Sequence, residues 1–89
     1  MRIKLELFGV SRDFSDKDHL DLEIQDKASV GDLRNVIIKY LDKNFQGNEN
    51  FIKVVKSSAF CSENNEIISD NYKITKDQKI GIIPPIGGG

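Results

Sequence analysis

Few side chains in this sequence have a type and spacing that could carry a reaction. Asp16, Asp18, His19 and Asp21 offer metal-ligand atoms in one short stretch, but neither a helical nor a hairpin register brings all four to one point. They read as a solvated loop with Lys17 among the acids. His19 is the only histidine and has no cysteine or serine beside it in a nucleophile motif, so it reads as a surface residue at the start of a strand. Cys61, the only cysteine, reads as a small buried or half-buried hydrophobe, unable by itself to hold a disulfide, an iron–sulfur cluster or a structural zinc. Gly9, Gly31 and Gly47 are scattered and form neither a P-loop nor a dinucleotide fingerprint. What is left is the end of the chain, Pro84-Pro85-Ile86-Gly87-Gly88-Gly89, where the chemical group is the main-chain carboxylate of Gly89. Glycine has no Cβ, so Gly88 and Gly89 fit a narrow channel and adopt backbone angles closed to other residues. The bland reading is an idle terminus, and Pro-Pro with a strand directly before it weighs against that.

The elements that must position this tail follow from periodicity. Ile3, Leu5 and Leu7 alternate with Arg2, Lys4 and Glu6, which predicts a strand over 2–8 with one face on a core. A polar loop from Gly9 to Lys17 leads to the same signal in Leu20, Leu22 and Ile24, and the two strands pair as a hairpin. Ser29 then precedes a helical period, with Val30, Leu33, Ile37, Tyr40 and Leu41 on one stripe and Asp32, Asn35, Lys39 and Asp42 opposite. Ser29 caps the first turn, Asp32 sits near the positive end of the dipole and Lys43 near the negative end. Burial of the stripe is worth roughly 1.5–3 kcal/mol per residue before ordering entropy, against about 1 for the cap, so packing decides this helix. Ile38 lies off the stripe and needs a loop or a partner to cover it. Phe45 to Asn50 reads as a loop, Phe51 to Ser57 as a strand, Ser62 to Glu66 as a turn and Ile67-Ile68 as a short strand. The turn Lys76-Asp77-Gln78 leads to a last strand through Ile80, Ile82 and Ile83, stopped by Pro84-Pro85. The expected class is α+β: a mixed sheet of about four to five strands with one main helix across one face. Residues 1–83 form the domain and 84–89 an extended tail.

Composition narrows the function classes. The chain has 89 residues, enough for one modest core, which buries roughly 60–65% of the surface the unfolded chain exposes. Thirteen basic and fourteen acidic residues leave a formal net charge of -1, so there is no positive excess to neutralise nucleic acid or an anionic membrane. The charged, alternating start is unlike a signal peptide, no apolar run spans a membrane, and a lone cysteine suits a reducing compartment; the expected location is the cytoplasm.

The run Ile82-Ile83-Pro84-Pro85-Ile86-Gly87-Gly88-Gly89 resembles the C-terminal end of the molybdopterin synthase small subunit, where an apolar strand enters Pro-Pro, two linking residues and a terminal Gly-Gly. Phe8-Gly9 followed by Arg12 is similar to that family's exit from its first strand, and Ile74 stands where a buried aliphatic residue precedes the last turn. The resemblance covers nearly the whole chain, with its specificity concentrated in the tail. It implies a ubiquitin-like β-grasp fold and adenylation of the Gly89 carboxylate by an E1-like adenylyltransferase that uses ATP. The product is a thiocarboxylate that gives its sulfur to a pterin precursor in the large subunit of a heterotetramer. The carrier binds no cofactor and does no catalysis alone. Two departures stand out: Ile82 and Ile83 replace the family's aromatic residues, and Lys76-Asp77-Gln78-Lys79 replaces an acidic, glycine-containing turn.

The residues make physical sense of that chemistry. An α-carboxyl with a pKa of roughly 3.3–3.7 is an anion at neutral pH and a poor electrophile until adenylated. Ordering three glycines costs roughly 1–2 kcal/mol each with no side chain to offset it, so the folded body must drive docking. Pro84 and Pro85 stiffen the stem, and Phe8 and Ile83, of opposite parity to the buried sets, form the expected docking patch with Arg12, Ile86 and Gly87. Other readings are a thiamine-pathway sulfur carrier, a ubiquitin-like protein tag, and an interaction module whose glycine end is incidental.

Overall fold

The computed structural model describes residues 1–85. Five strands, β1 (Arg2–Leu7), β2 (His19–Glu23), β3 (Ala59–Cys61), β4 (Ile67–Ile68) and β5 (Gln78–Ile83), form one mixed sheet in the order β2-β1-β5-β3-β4. β1 and β5 run parallel at its centre, with Leu5 opposite Ile80 and Leu7 opposite Ile82; the remaining pairings are antiparallel. The expected hairpin of the first two strands is present, with Leu5 opposite Leu20. Strand alternation sends Ile3, Leu5, Leu7, Leu20, Leu22, Phe60, Ile80 and Ile82 to one buried layer.

Helix α1 (Val30–Asn44) lays Val30, Leu33, Ile37 and Leu41 against that layer, all fully buried. Its start is a reciprocal cap: the Asp32 N–H donates to Ser29 Oγ at 3.1 Å and the Ser29 N–H donates to the Asp32 carboxylate at 2.9 Å. Tyr40 is half-buried and donates its hydroxyl to the Phe14 carbonyl, and Ile38 is covered by packing against the core. Ile74, fully buried, has the predicted role before the last strand.

Three expectations are corrected. Residues 51–57 are helical, part of α2 (Glu49–Ser57). The Asn48 side chain accepts from the N–H groups of Asn50 and Phe51, and Phe51, Val54 and Val55 then share the helix face turned to the core. A short run rich in β-branched residues fits both periods, and here the cap decides. The hinge between the helices uses left-handed residues, Gln46 (φ 54°) and Gly47 (φ 69°), and a Cβ on Gly47 would lie 2.9 Å from Asp42 Oδ1. The Gly9–Lys17 segment is not simply a polar loop: Gly9–Phe14 is a 3-10 helix whose Phe14 is fully buried, its ring 5.1 Å from that of Phe51. Finally, β3 is an additional strand, inserted beside β5 with Phe60 on the core side.

Arg34 joins these parts. Its guanidinium donates to the carbonyls of Val55 and Ser58 at 2.6 and 2.8 Å, pairs with Asp70 at 2.7 Å, and lies 4.8 Å from the centre of the Phe60 ring. It thus holds the end of α2, the start of β3 and the segment before β5 to α1.

Replacing Ser29 by Ala should cost about 1 kcal/mol, read from urea unfolding at neutral pH. The Ser29 main-chain N–H, and then its side chain, hold the Asp32 carboxyl below its ordinary pKa. A lowered folded pKa gives stability that is complete above the unfolded value of about 3.9 and is lost as pH falls through the folded value. In Asp32→Asn, that part of the acid sensitivity should disappear.

Candidate functional site

Because β1 and β5 are parallel, both finish at the same end of the sheet, and the chain's exit after Ile83 lies beside the turn that follows Leu7. Phe8 leaves β1 with outward parity and is 44% exposed. Gly9 turns the chain at φ 57°, and the Phe8 carbonyl accepts from both the N–H and the hydroxyl of buried Ser11, at 3.2 and 2.6 Å. This anchors the 3-10 helix that carries Arg12, which is exposed and lines a shallow hollow with Phe8, Gly9, Glu6 and Asp18.

The outer sheet face at this end is apolar. Gly81 of β5 sits between Phe8 and Cys61, and a Cβ there would come within 2.9 Å of the Phe8 ring and 2.7 Å of Cys61 Sγ. The missing side chain lets the edge of the Phe8 ring approach the strand closely. Ile83 is half-buried opposite Ala59, and Ile67, 67% exposed, extends the patch beside Cys61. A charged border follows: Lys79 donates to Glu6 at 2.8 Å, and that bond raises the pKa of its ammonium above the ordinary value. Lys79 therefore belongs to β5 and the sheet face, not to a free basic turn.

The structure brings Phe8, Arg12, Ile83, Pro84 and Pro85 to one end of the molecule. Pro84 is buried, its Cγ 3.9 Å from where a Cβ on Gly9 would stand, so the folded body continues through Pro84 and Pro85 is exposed. Ile86, Gly87, Gly88 and Gly89 lie outside the described residues. Gly81 is the positioning residue that sequence reasoning missed; its signal was a glycine in the middle of an otherwise apolar strand. Cys61 is buried in this face, in contact distance of the Gly81 position. His19, half-buried at the start of β2, lies 2.9 Å from Asp18 and 3.5 Å from Asp21. Among the described residues, no three His, Cys, Asp or Glu side chains are grouped to hold a metal, and no helix is long and apolar enough to cross a membrane.

Several solved structures share this fold over almost their whole length. SAMP1 from Haloferax volcanii superposes with a TM-score of 0.69 at 15% identity, with all of both chains covered. A candidate molybdopterin converting factor, subunit 1, from Pyrococcus furiosus gives 0.70 at 21% identity, covering 96% of this chain and 98% of that one. The fold is the ubiquitin-like β-grasp. A Caldiarchaeum subterraneum ubiquitin shares it with a TM-score of 0.60 at 18% identity, covering 100% of this chain and 98% of its own. No protein-family model matches the sequence, and no curated protein matches it. In β-grasp terms, the Phe8–Gly81–Ile83 face is the outer side of the sheet, opposite α1.

Adding a methyl group at Gly81 tests how that face is built. Gly81→Ala should displace both the half-exposed Phe8 ring and the buried Cys61 thiol, so the cost should lie within the ordinary range of overpacking, about 1–3 kcal/mol. Thermal melting measures the cost, and ring-proton shifts of Phe8 report the displacement.

Proposed function

We propose that this chain is a sulfur carrier of the molybdopterin synthase small-subunit type, in which the Gly89 carboxylate is the working group. The observation that carries this reading is that central strand β5 leads into Pro84-Pro85 beside an apolar face made by Phe8 and Ile83, and that the sequence then continues Ile86-Gly87-Gly88-Gly89. The Pyrococcus neighbour adds support through its description as a converting-factor subunit. An E1-like adenylyltransferase would join the carboxylate to AMP from ATP, releasing pyrophosphate. A sulfur donor would then displace AMP to leave the thiocarboxylate. The large subunit would take that sulfur for a pterin precursor, with Gly87, Gly88 and Gly89 threaded into its site and Phe8, Arg12, Ile83, Pro84, Pro85 and Ile86 at the contact. The Caldiarchaeum ubiquitin, with a further H. volcanii structure described as small archaeal modifier protein 1, favours a second reading, protein tagging, in which the same activated carboxylate ends in an amide with a lysine.

Intact mass after incubation with the activating enzyme, ATP and a sulfur donor separates these readings. Exchange of one carboxylate oxygen for sulfur marks a sulfur carrier, whereas adducts to other proteins with loss of water mark a tag. One residue appended after Gly89 should abolish loading while leaving the melting temperature unchanged; a thiocarboxylate on the extended chain would remove Gly89 from the site.

Phe8→Asp should weaken assembly with the large subunit about thirtyfold, near 2 kcal/mol, as loss of a buried apolar anchor does. Titration calorimetry reads it, and the isolated fold should lose less, about 1 kcal/mol, because Phe8 is already 44% exposed. Unchanged affinity would take this face out of the interface.

A further inference from the structure

The outer margin of β2 is an open sheet edge with a groove beside it. β2 is the last strand on its side of the sheet and five residues long, against two for β4 at the other margin. Its hydrogen-bond parity is fixed by Met1 and Ile24, which exchange both main-chain bonds, the Met1 amine donating at 2.7 Å and the Ile24 N–H at 2.9 Å. Counting in twos along the register, Leu22 and Leu20 face β1 in the same way, opposite Ile3 and Leu5. The main-chain N–H and C=O groups of His19, Asp21 and Glu23 therefore point away from the sheet, as antiparallel alternation requires. Beneath this margin, a groove of about 580 Å³ runs between the end of β2 and α1. Ile24, Ala28 and Val36 give it apolar surface, and Asp32, Asn35 and Lys39 share its helical wall.

We propose that this edge binds an extended peptide in which apolar and basic residues alternate, added to the sheet as a sixth strand. An added strand pairs its main chain with Asp21 and Glu23. Its side chains then alternate between two surroundings. Those on the inner side enter the groove over the narrow apolar strip of Ile24, Ala28 and Val36, which the polar residues of α1 border, and are matched there by apolar residues. Those on the outer side stand beside the carboxylates of Asp18, Asp21 and Glu23, whose side chains are 78%, 78% and 82% exposed, and are matched by lysine or arginine. Arg2 reaches Glu23 only at 3.9 Å and is itself exposed, so it offers little competition there. His19 already lies 2.9 Å from Asp18 and 3.5 Å from Asp21, and Lys4 stands opposite Asp21, which makes Glu23 the main partner for a basic side chain. The same carboxylates disfavour a second copy of this chain, because two β2 edges paired antiparallel would bring like charges face to face. Acidic residues thus guard the edge against self-association and leave it open to a basic strand.

The test uses the full-length, nitrogen-15-labelled protein and a blocked hexapeptide of alternating lysine and valine. Two controls accompany it: alternating glutamate and valine, and three lysines followed by three valines. The alternating lysine peptide should shift the amide signals of His19, Asp21, Glu23 and Val36 and slow hydrogen exchange at Asp21 and Glu23 more than tenfold. Asp21→Pro removes an outward N–H that the β1–β2 ladder does not use, so it should weaken binding at least tenfold with the circular dichroism spectrum unchanged. The double change Asp21→Lys, Glu23→Lys, which leaves the core untouched, should invert the preference between the lysine and glutamate peptides. It decides the matter if the proline variant does not fold. The inference is overturned by the absence of shifts, by equal binding of the lysine-block peptide, by shifts confined to the Phe8–Ile83 face, or by concentration-dependent dimerisation through the β2 amides.

Discussion

The parallel pairing of β1 with β5 is the constraint on which the rest of the molecule depends. It joins the first and last strands of the described chain at the centre of the sheet, so everything between them must be packed out to the two margins. It also brings the end of β1 and the end of β5 to the same side, which is why Phe8, Gly9 and Arg12 stand beside Pro84 and Pro85. The end of the molecule proposed to work is thus set by strand direction before any side chain is considered. Side chains then refine it: the absent Cβ of Gly81 admits the Phe8 ring, and Pro84 packs beside the left-handed turn at Gly9.

A second level of organisation rests on charge and hydrogen bonding rather than apolar area. Arg34 collects carbonyls from the end of α2 and the start of β3 and holds Asp70, so one guanidinium ties together segments far apart in sequence. The Ser29–Asp32 cap fixes where α1 begins, and the Lys79–Glu6 pair closes the outer face across the central strands. The exposed Lys79–Glu6 pair contributes little energy by itself; its effect is on geometry.

Strands β1, β2 and β5 and helix α1 were legible in the sequence because each keeps one unbroken period, and the outward parity of Phe8 and Ile83 followed from the same alternation. Phe51 to Ser57 reads as a strand in the sequence because Ile52, Val54 and Val55 suit a strand as well as a helix, and the Asn48 cap that decides for the helix is a local hydrogen bond. Phe14 in a polar segment could have signalled the buried 3-10 helix, since a lone aromatic residue there needs cover. β3 offers only Ala59, Phe60 and Cys61, too short for alternation to show. Arg34 carried no signal, because its partners are main-chain carbonyls supplied by the fold. Where Pro84 would lie was equally hidden, as its burial depends on the turn at Gly9.

The central place of β5 also orders events in time. Synthesis delivers this strand after all the others, yet β1 and β3 have no neighbour on their inner margins until it arrives. Before then the chain can form only the β1–β2 and β3–β4 hairpins with their helices, two half-sheets whose apolar faces lack a shared layer. Their union requires Ile3 to meet Gln78, a closure across most of the polypeptide, and long-range pairing of this kind makes folding slow. The emerging protein therefore carries unpaired strand margins until β5 is available, an interval in which association with other chains competes with folding. A break anywhere before Gln78 would leave that competition unresolved, so the strand that presents the tail is also the one that completes the fold.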